Sequence, residues 1–351
     1  MNKILEEDLR IIANGNLPYE NLDNATVLVT GATGLVGVSL IRALFAIYEK
    51  KKINIKIIGL IRDKSKAEAI YGKLKKNSIL SFIVADITDE ISISEPIDYI
   101  FHCASITTSK VMVEKPVETL ITAIIGTKHI LDIAAEKMVR SFVYVSSMEM
   151  YGSFGDESRE IKETNIGYID PLKVRSNYPE SKRLCENMCI AYLSEYHVPI
   201  KIARLAQTFG AGILPWETRV FAQFAQSVLQ GENIVLHTKG KSEGNYCYLR
   251  DTILGLFTIL FNGKDGEAYN VVNPATHTTI ADMAKMVCER IADKKIAVEF
   301  DIPENNTFGY AADTKLKLNS DKLQELGWKP EVGLEEAYRR LIESIKVEKT
   351  E

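Results

Sequence analysis

Tyr-x-x-x-Lys occurs three times in this chain, at Tyr48/Lys52, Tyr71/Lys75 and Tyr178/Lys182. On a helix each pair shares one face, which sets an ammonium beside a phenol. A phenol near pKa 10 exchanges protons poorly at neutral pH, and a neighbouring cation favours the phenolate. The motif recurs too often to mean anything alone. Tyr178 is distinguished by its setting, 31 residues after Ser147, which follows the strand-like run Phe142 to Ser146. A serine at the carboxyl end of a parallel strand can hydrogen-bond a substrate oxygen and hold it near the phenol. The chemistry on offer is acid–base work at an oxygen.

Those side chains need a scaffold, and residues 26–37 are its most informative part. The β-branched run Thr26-Val27-Leu28-Val29-Thr30 leads into Gly31-Ala32-Thr33-Gly34-Leu35-Val36-Gly37, and an apolar helical segment follows to about Tyr48. This is the physics of a dinucleotide site. Gly31 permits the strand-to-helix turn, Gly34 lets a pyrophosphate approach the backbone, and Gly37 lets the helix pack close to the sheet. The N–H groups and positive dipole end of that helix then face the phosphates. A positively charged nicotinamide ring near Tyr178 would add to the Lys182 charge in favouring phenolate.

From Val27 onward, strands expected at 27–30, 55–61, 79–84, 98–102, 141–146 and 199–204 alternate with helices near 35–49, 65–76, 115–136 and 178–197. That alternation specifies a Rossmann-type α/β fold, a doubly wound parallel sheet covered on both faces. A short amphipathic helix at 3–13 and a linker at 15–24 precede it. Beyond Gly210 the alternation loosens, with helices near 217–230, 251–262, 279–291 and 334–347. The expected division is residues 1–24 as N-terminal helix and linker, 25–206 as the dinucleotide-binding domain, and 207–351 mostly a smaller substrate lobe. Parts of about 245–272 return to the first domain.

Bulk properties narrow the class. Apolar content of 46% with 26% charged residues describes an ordinary globular protein. A balance of 43 basic against 47 acidic residues, with Lys50-Lys51-Lys52 a short patch at a helix end, suggests no nucleic-acid partner. The segment Met1 to Asn24 is charged and lacks an apolar core, and no window approaches a membrane span, so a cytoplasmic protein without a membrane partner is expected. Cys185 and Cys189, four apart on a helix, have no converging His or carboxylate set; they read as buried thiols and no metal is expected.

The motifs together resemble the extended short-chain dehydrogenase/reductases of the nucleotide-sugar epimerase/dehydratase type. The matching residues are the three glycines; Ala85-Asp86-Ile87; His102-Cys103-Ala104-Ser105; Ser146-Ser147-Met148-Glu149-Met150-Tyr151-Gly152; Tyr178/Lys182; Ala203-Arg204-Leu205 before Phe209-Gly210; and Leu326-Gly327-Trp328-Lys329-Pro330. They cover about residues 25 to 345. The setting Arg175-Ser176-x-Tyr178-x-x-Ser181-Lys182-Arg183 most resembles the UDP-glucuronate decarboxylase branch. The resemblance implies a catalytic triad of Ser147, Tyr178 and Lys182, a nucleotide-activated sugar as substrate, and a homodimer through the helices at 115–136 and 178–197. Ile124, Ile130, Leu131 and Leu193 are expected to offer apolar surface for that dimer. The cofactor would touch Gly31, Thr33, Gly34, Leu35, Val36, Gly37, Arg62, Ala104, Ser105, Tyr178 and Lys182, with Asp86 and Ile87 flanking the adenine. Thr107, Ser147, Met148, Glu149, Gln207, Arg219 and Tyr246 would face the substrate.

Four departures bear on the reaction. The 4,6-dehydratases follow the catalytic Ser/Thr with an Asp-Glu pair; here Met148 replaces the acid that protonates the leaving hydroxide, while Glu149 is kept. The decarboxylases place an Arg before the Phe/Tyr-x-Tyr-x-x-Asp segment to bind an anionic substrate; here Gly244 precedes Asn245-Tyr246-Cys247-Tyr248. Gln207 and Ala123 stand where relatives often carry Asn. Glu149 either moves a proton or simply hydrogen-bonds backbone or orients a sugar hydroxyl, and Arg219 is either a phosphate clamp or a solvated helix-start residue.

The second strand ends Gly59-Leu60-Ile61-Arg62-Asp63-Lys64, with Ile61 where members that prefer NAD carry an acid. Arg62 could pair with a 2′-phosphate, or sit in a solvated Arg-Asp turn. NADP(H) is the favoured cofactor on this reading, with NAD(H) as the other. The leading expectation is hydride transfer that reduces a keto group, for example a nucleotide-linked ketose to an alditol, with Tyr178 as the acid. The alternative is an epimerase, dehydratase or decarboxylase that holds NAD tightly. A non-catalytic cofactor-binding regulator is a different class, disfavoured by the intact triad.

Overall fold

A computed structural model describes residues 2–72, 74, 77–155, 160–303 and 313–350. The chain begins with α1 (Lys3–Ala13), then β1 (Ala25–Thr30), α2 (Leu35–Lys51), β2 (Ile55–Ile61), α3 (Lys64–Tyr71), β3 (Leu80–Val84), β4 (Tyr99–His102), α4 (Ser109–Glu114), α5 (Pro116–Glu136) and β5 (Ser141–Ser147). It continues with α6 (Asn177–Tyr196), β6 (Ile200–Leu205), α7 (Val220–Gln230), α8 (Leu249–Asn262), β7 (Ala268–Val271), α9 (Ile280–Met286), α10 (Asp321–Gln324) and α11 (Leu334–Thr350).

These seven strands form one parallel sheet in the order β7-β6-β5-β4-β1-β2-β3. Every residue of β1 and β6 is buried, as expected of parallel strands covered on both faces. One face packs against α2 and α8 through Leu40, Leu44, Ile253 and Phe257. The other packs against α5 and α6 through Ile130, Leu131, Cys185 and Cys189. The strand order reverses direction between β1 and β4, so the crevice at their carboxyl ends is the position for a ligand.

Smaller pairings build a lobe beside that crevice: Gln207–Phe209 with Tyr246–Tyr248, Ile234–Leu236 with Val298–Phe300, and Glu243–Gly244 with Thr278–Thr279. Phe209, Phe221, Tyr338 and Leu341 form its separate apolar core. The expected single helix at 279–291 is instead α9 followed by a π-helical turn over Val287–Ile291.

The expected linker at 15–24 is corrected. It holds a 3-10 turn, Tyr19–Leu22, whose Tyr19 and Leu22 are fully buried. Tyr19 donates to the Ile12 carbonyl at 2.8 Å, so the linker folds back on its own helix. The helix is in turn anchored through Asp8, which accepts from Tyr248 (2.6 Å) and Arg340 (2.7 Å). A second correction concerns Ile130 and Leu131, which are fully buried between α5 and the sheet; the large apolar or aromatic residues exposed on α5 and α6 are Val117, Ile121, Leu184, Ile190 and Tyr196. Among the described residues no helix is long and apolar enough to cross a membrane.

Candidate active site

The glycine turn is built as its spacing demands. Gly31 has a φ of +63°, and a Cβ there would lie 2.8 Å from the Ala104 backbone. A Cβ on Gly37 would lie 2.4 Å from the Gly31 carbonyl oxygen, which is why the helix can start so close to the strand. Gly34 is the N-cap of α2, no side chain caps that end, and the first intrahelical bond runs from Val38 N–H to the Gly34 carbonyl. The amides of Leu35, Val36 and Gly37 thus precede the first intrahelical bond at the N-terminus of a 17-residue helix. These residues fit a dinucleotide pyrophosphate.

Under the same crevice, Thr30 ends β1 and His102 ends β4. Thr30 Oγ1 accepts from the amides of Cys103 and Ala104, both at 3.1 Å. Its own proton then goes to His102 Nδ1 at 2.7 Å, leaving Nε2–H to donate to Thr127 Oγ1 at 3.0 Å. Burial, aided by the Lys182 charge, pushes the imidazole down to about 3, so it stays neutral and structural. This chain fixes the backbone at Ala104 and Ser105, both half-buried at the end of β4.

Ser147 is the last residue of β5, and its Oγ accepts from the Glu149 amide at 3.2 Å, capping a 3-10 turn over Met148–Tyr151. Tyr178 and Lys182 lie one turn apart at the start of α6, both buried. Lys182 Nζ donates to the Val145 carbonyl at 2.9 Å and stands 5.7 Å from the Tyr178 ring centre. One lysine therefore ties α6 to β5 and charges the space behind the phenol. Burial is the largest influence on Tyr178 and raises its pKa above the ordinary value; the Glu149 charge adds to this, while a hydrogen bond with Ser147 and the charges of Arg175 and Arg219 oppose it. Burial likewise lowers Lys182.

The other two Tyr-x-x-x-Lys pairs have different settings. Lys52 is the left-handed C-cap of α2, with its amide on the Tyr48 carbonyl. Tyr71 donates its hydroxyl to the Ala32 carbonyl, and Lys75 lies outside the described residues.

Met148 is buried, and a Cβ added to Gly244 would sit 3.8 Å from its Cε. The two departures from the related enzymes are thus neighbours in space. Glu149 is held by Arg175, whose Nη2 donates at 2.9 and 3.3 Å to its two oxygens. Arg219 is the N-cap of α7, and its guanidinium is paired with Glu217 at 2.6 and 2.9 Å. Gln207 is half-buried opposite Tyr246, and Tyr246 itself is buried edge-on against Phe209 in the lobe core. Thr107 is exposed on the loop after β4, and Thr33 is half-buried in the glycine turn.

At the end of β2, Ile61 is buried and Arg62 is exposed, 3.6 Å from Asp86. Asp63 is no part of that pair; it caps α3 by accepting from the Lys66 amide. The Thr88 amide and hydroxyl, together with Arg62, hold the Asp86 carboxyl below its usual range. Ile87 turns into the core against Gly126. Cys185 and Cys189 are buried, with Cys185 Sγ donating to the Ala123 carbonyl.

Two groups carry more than their sequence suggested. Arg204, near the carboxyl end of the fully buried β6, donates to both oxygens of Glu186 on α6 (2.7 to 3.2 Å), and Ser146 donates to the same carboxylate. A guanidinium inside a central strand was the available signal, because a buried charge requires a partner. Arg175 was visible only as part of a motif.

A buried Tyr-Lys pair facing a strand-end serine, beside a glycine-turn dinucleotide cradle on a parallel sheet, defines an enzyme of the extended short-chain dehydrogenase/reductase class. The model of the NAD dependent epimerase/dehydratase family matches residues 27–272, and the chain belongs to that family. It is 28% identical to UDP-glucuronic acid decarboxylase 1 of Danio rerio, over 92% of this chain and 72% of that protein. It is 26% identical to dTDP-D-glucose 4,6-dehydratase of Homo sapiens, over 90% and 89%. Among solved structures it is similar to the UDP-glucose 4-epimerase of Thermotoga maritima, with a TM-score of 0.77 and 24% identity over 93% and 100% of the two chains.

Proposed function

We propose that the protein removes a hydride from a carbinol of a nucleotide-activated sugar and returns it to the same sugar, as an epimerase with a retained nicotinamide cofactor. The observation that carries this reading is the approach of Gly244 to Met148, the residue that follows the catalytic serine. A thioether has no proton to give a leaving hydroxide, which disfavours dehydration. Glycine supplies no cation for a substrate carboxylate, which disfavours decarboxylation. Removal and return of hydride needs neither group.

The residues divide the work. Ser147 hydrogen-bonds the carbinol oxygen and holds it near Tyr178, which takes its proton and later gives one back. Lys182 positions the phenol's helix and contributes positive charge. The glycine turn, with Tyr178 and Lys182, would hold a nicotinamide cofactor, which would supply an acceptor and donor for the hydride and, when oxidised, a charge that favours the phenolate. Burial raises the phenol's pKa, so a positive charge beside Tyr178 works in favour of its role as a base.

The cofactor is NAD on this account. Arg62 already faces the Asp86 carboxylate, and a 2′-phosphate there would meet that negative charge. Net reduction by NADPH, the leading expectation from the sequence, becomes the second reading. It is favoured by the buried Ile61 where NAD-preferring relatives carry an acid, with the exposed Arg62 beside it. The partner surface of a homodimer would be the exposed Val117, Ile121 and Leu184 on α5 and α6, and Arg219 would clamp a phosphate only by leaving Glu217. A cytoplasmic enzyme with a nucleotide-sugar substrate, and with no metal, nucleic-acid or membrane partner, completes the reading.

Extraction of the dialysed protein tests the choice of cycle. The expected result is NAD bound in near-equal amount to protein. A cofactor-free protein that oxidises NADPH in the presence of a 4-keto nucleotide sugar would give the second reading the lead.

A further inference from the structure

Glu149 and Arg175 lie 26 residues apart in the chain and on separate 3-10 turns, one after Ser147 and one just before α6. Their side chains meet at 2.9 Å, with the pair only partly exposed. The Arg175 guanidinium carbon also stands 5.8 Å from the Tyr178 ring centre, and its Nε is buried without a partner among the described residues. The pair therefore bridges the turn that follows the catalytic serine and the turn that delivers the catalytic tyrosine.

We propose that Arg175 is a positioning residue for proton transfer: it holds the Glu149 carboxylate in an ion pair and shields Tyr178 from that negative charge. The inference rests on the reading of Tyr178 as the proton-transferring group. Five groups face the phenol from the elements around it: Ser147 from β5, Glu149 from the following turn, Arg175 from the turn before α6, Lys182 from α6 itself, and Arg219 from the start of α7. Glu149 is the anion among them. It disfavours phenolate, whereas Arg175 favours it, and the two effects offset only while both charges are present. Glu149 is thus kept beside the site as a carboxylate that orients, with its charge balanced.

The test needs no sugar substrate, so its outcome is separable from that of the epimerase reading. In NAD-loaded protein, the near-ultraviolet phenolate absorbance of each variant, minus that of the same variant carrying Tyr178→Phe, follows Tyr178 alone. Arg175→Ala should move the midpoint upward by about one pH unit, the scale of one nearby charge. Adding Glu149→Gln to Arg175→Ala should bring it back close to the wild-type value, and Arg175→Lys should shift it less than Ala. If Arg175→Ala does not fold, Arg175→Lys alone and with Glu149→Gln carries the same comparison. A merely structural arginine would weaken folding or NAD binding without moving the midpoint. An unmoved midpoint, a failure of Glu149→Gln to reverse the shift, or a phenol silent in every variant overturns the proposal.

Discussion

Tyr178→Phe should lower turnover by about 10²- to 10⁴-fold, the usual worth of a positioned acid–base group, with NAD binding nearly intact. The phenol is buried at the start of α6, hydrogen-bonded with Ser147 and backed by Lys182, and its replacement removes one oxygen without disturbing that packing. Steady-state turnover with cofactor affinity measured in parallel separates the two roles. A variant within about threefold of wild type would remove Tyr178 from proton transfer, since that is far below the effect of losing an acid–base group.

The largest effect on stability is expected from Glu186→Ala. Arg204 and Glu186 are both buried, and Glu186 also accepts from Ser146, the residue before the catalytic serine. Truncating the carboxylate leaves Arg204 charged and uncompensated between β6 and α6, a loss of about 3–5 kcal/mol. Tyr151 and the Glu163 carbonyl still contact Arg204 Nη1, so the guanidinium keeps part of its hydrogen bonding but none of its counter-charge. Urea unfolding reads this directly. A change below about 1 kcal/mol would mean that water or a neighbouring group compensates the charge, and that the pair contributes little to holding α6 on the sheet.

Elements governed by local rules were legible in the sequence. The strand β1 and the start of α2 announce themselves through a β-branched run ending in glycines, of which Gly31 and Gly37 have no room for a side chain. The parallel strands read as apolar runs because both of their faces are covered. The seventh strand, Ala268–Val271, escaped direct notice. Four residues show no period, and its Asn270 is polar because its side chain bonds the Ile161 and Asn319 carbonyls and accepts from Tyr151. The segment 15–24 has the composition of a linker, yet tertiary packing draws Tyr19 and Leu22 into the core. Ile130 and Leu131 face inward because α5 is covered by both the sheet and α6, which leaves a narrower outward stripe than an isolated helix would show.

The site was legible to the extent that its residues follow one another in motifs. Ser147, Tyr178 and Lys182 could be placed by their positions at a strand end and a helix start. The ion pairs of Arg175 with Glu149, Arg219 with Glu217 and Arg62 with Asp86 could not. No local pattern says which carboxylate a surface or cleft arginine will meet, and in each case that partner alters what the arginine can do for a ligand.

The central claim is that hydride leaves and returns to the same sugar without loss of another group. Product mass after incubation of the NAD-loaded protein with UDP-glucose, UDP-glucuronate and dTDP-glucose tests it most directly. The account predicts a product of unchanged mass with one carbinol centre inverted. Loss of water, loss of carbon dioxide, or a gain of two hydrogens at the expense of NADPH would contradict it.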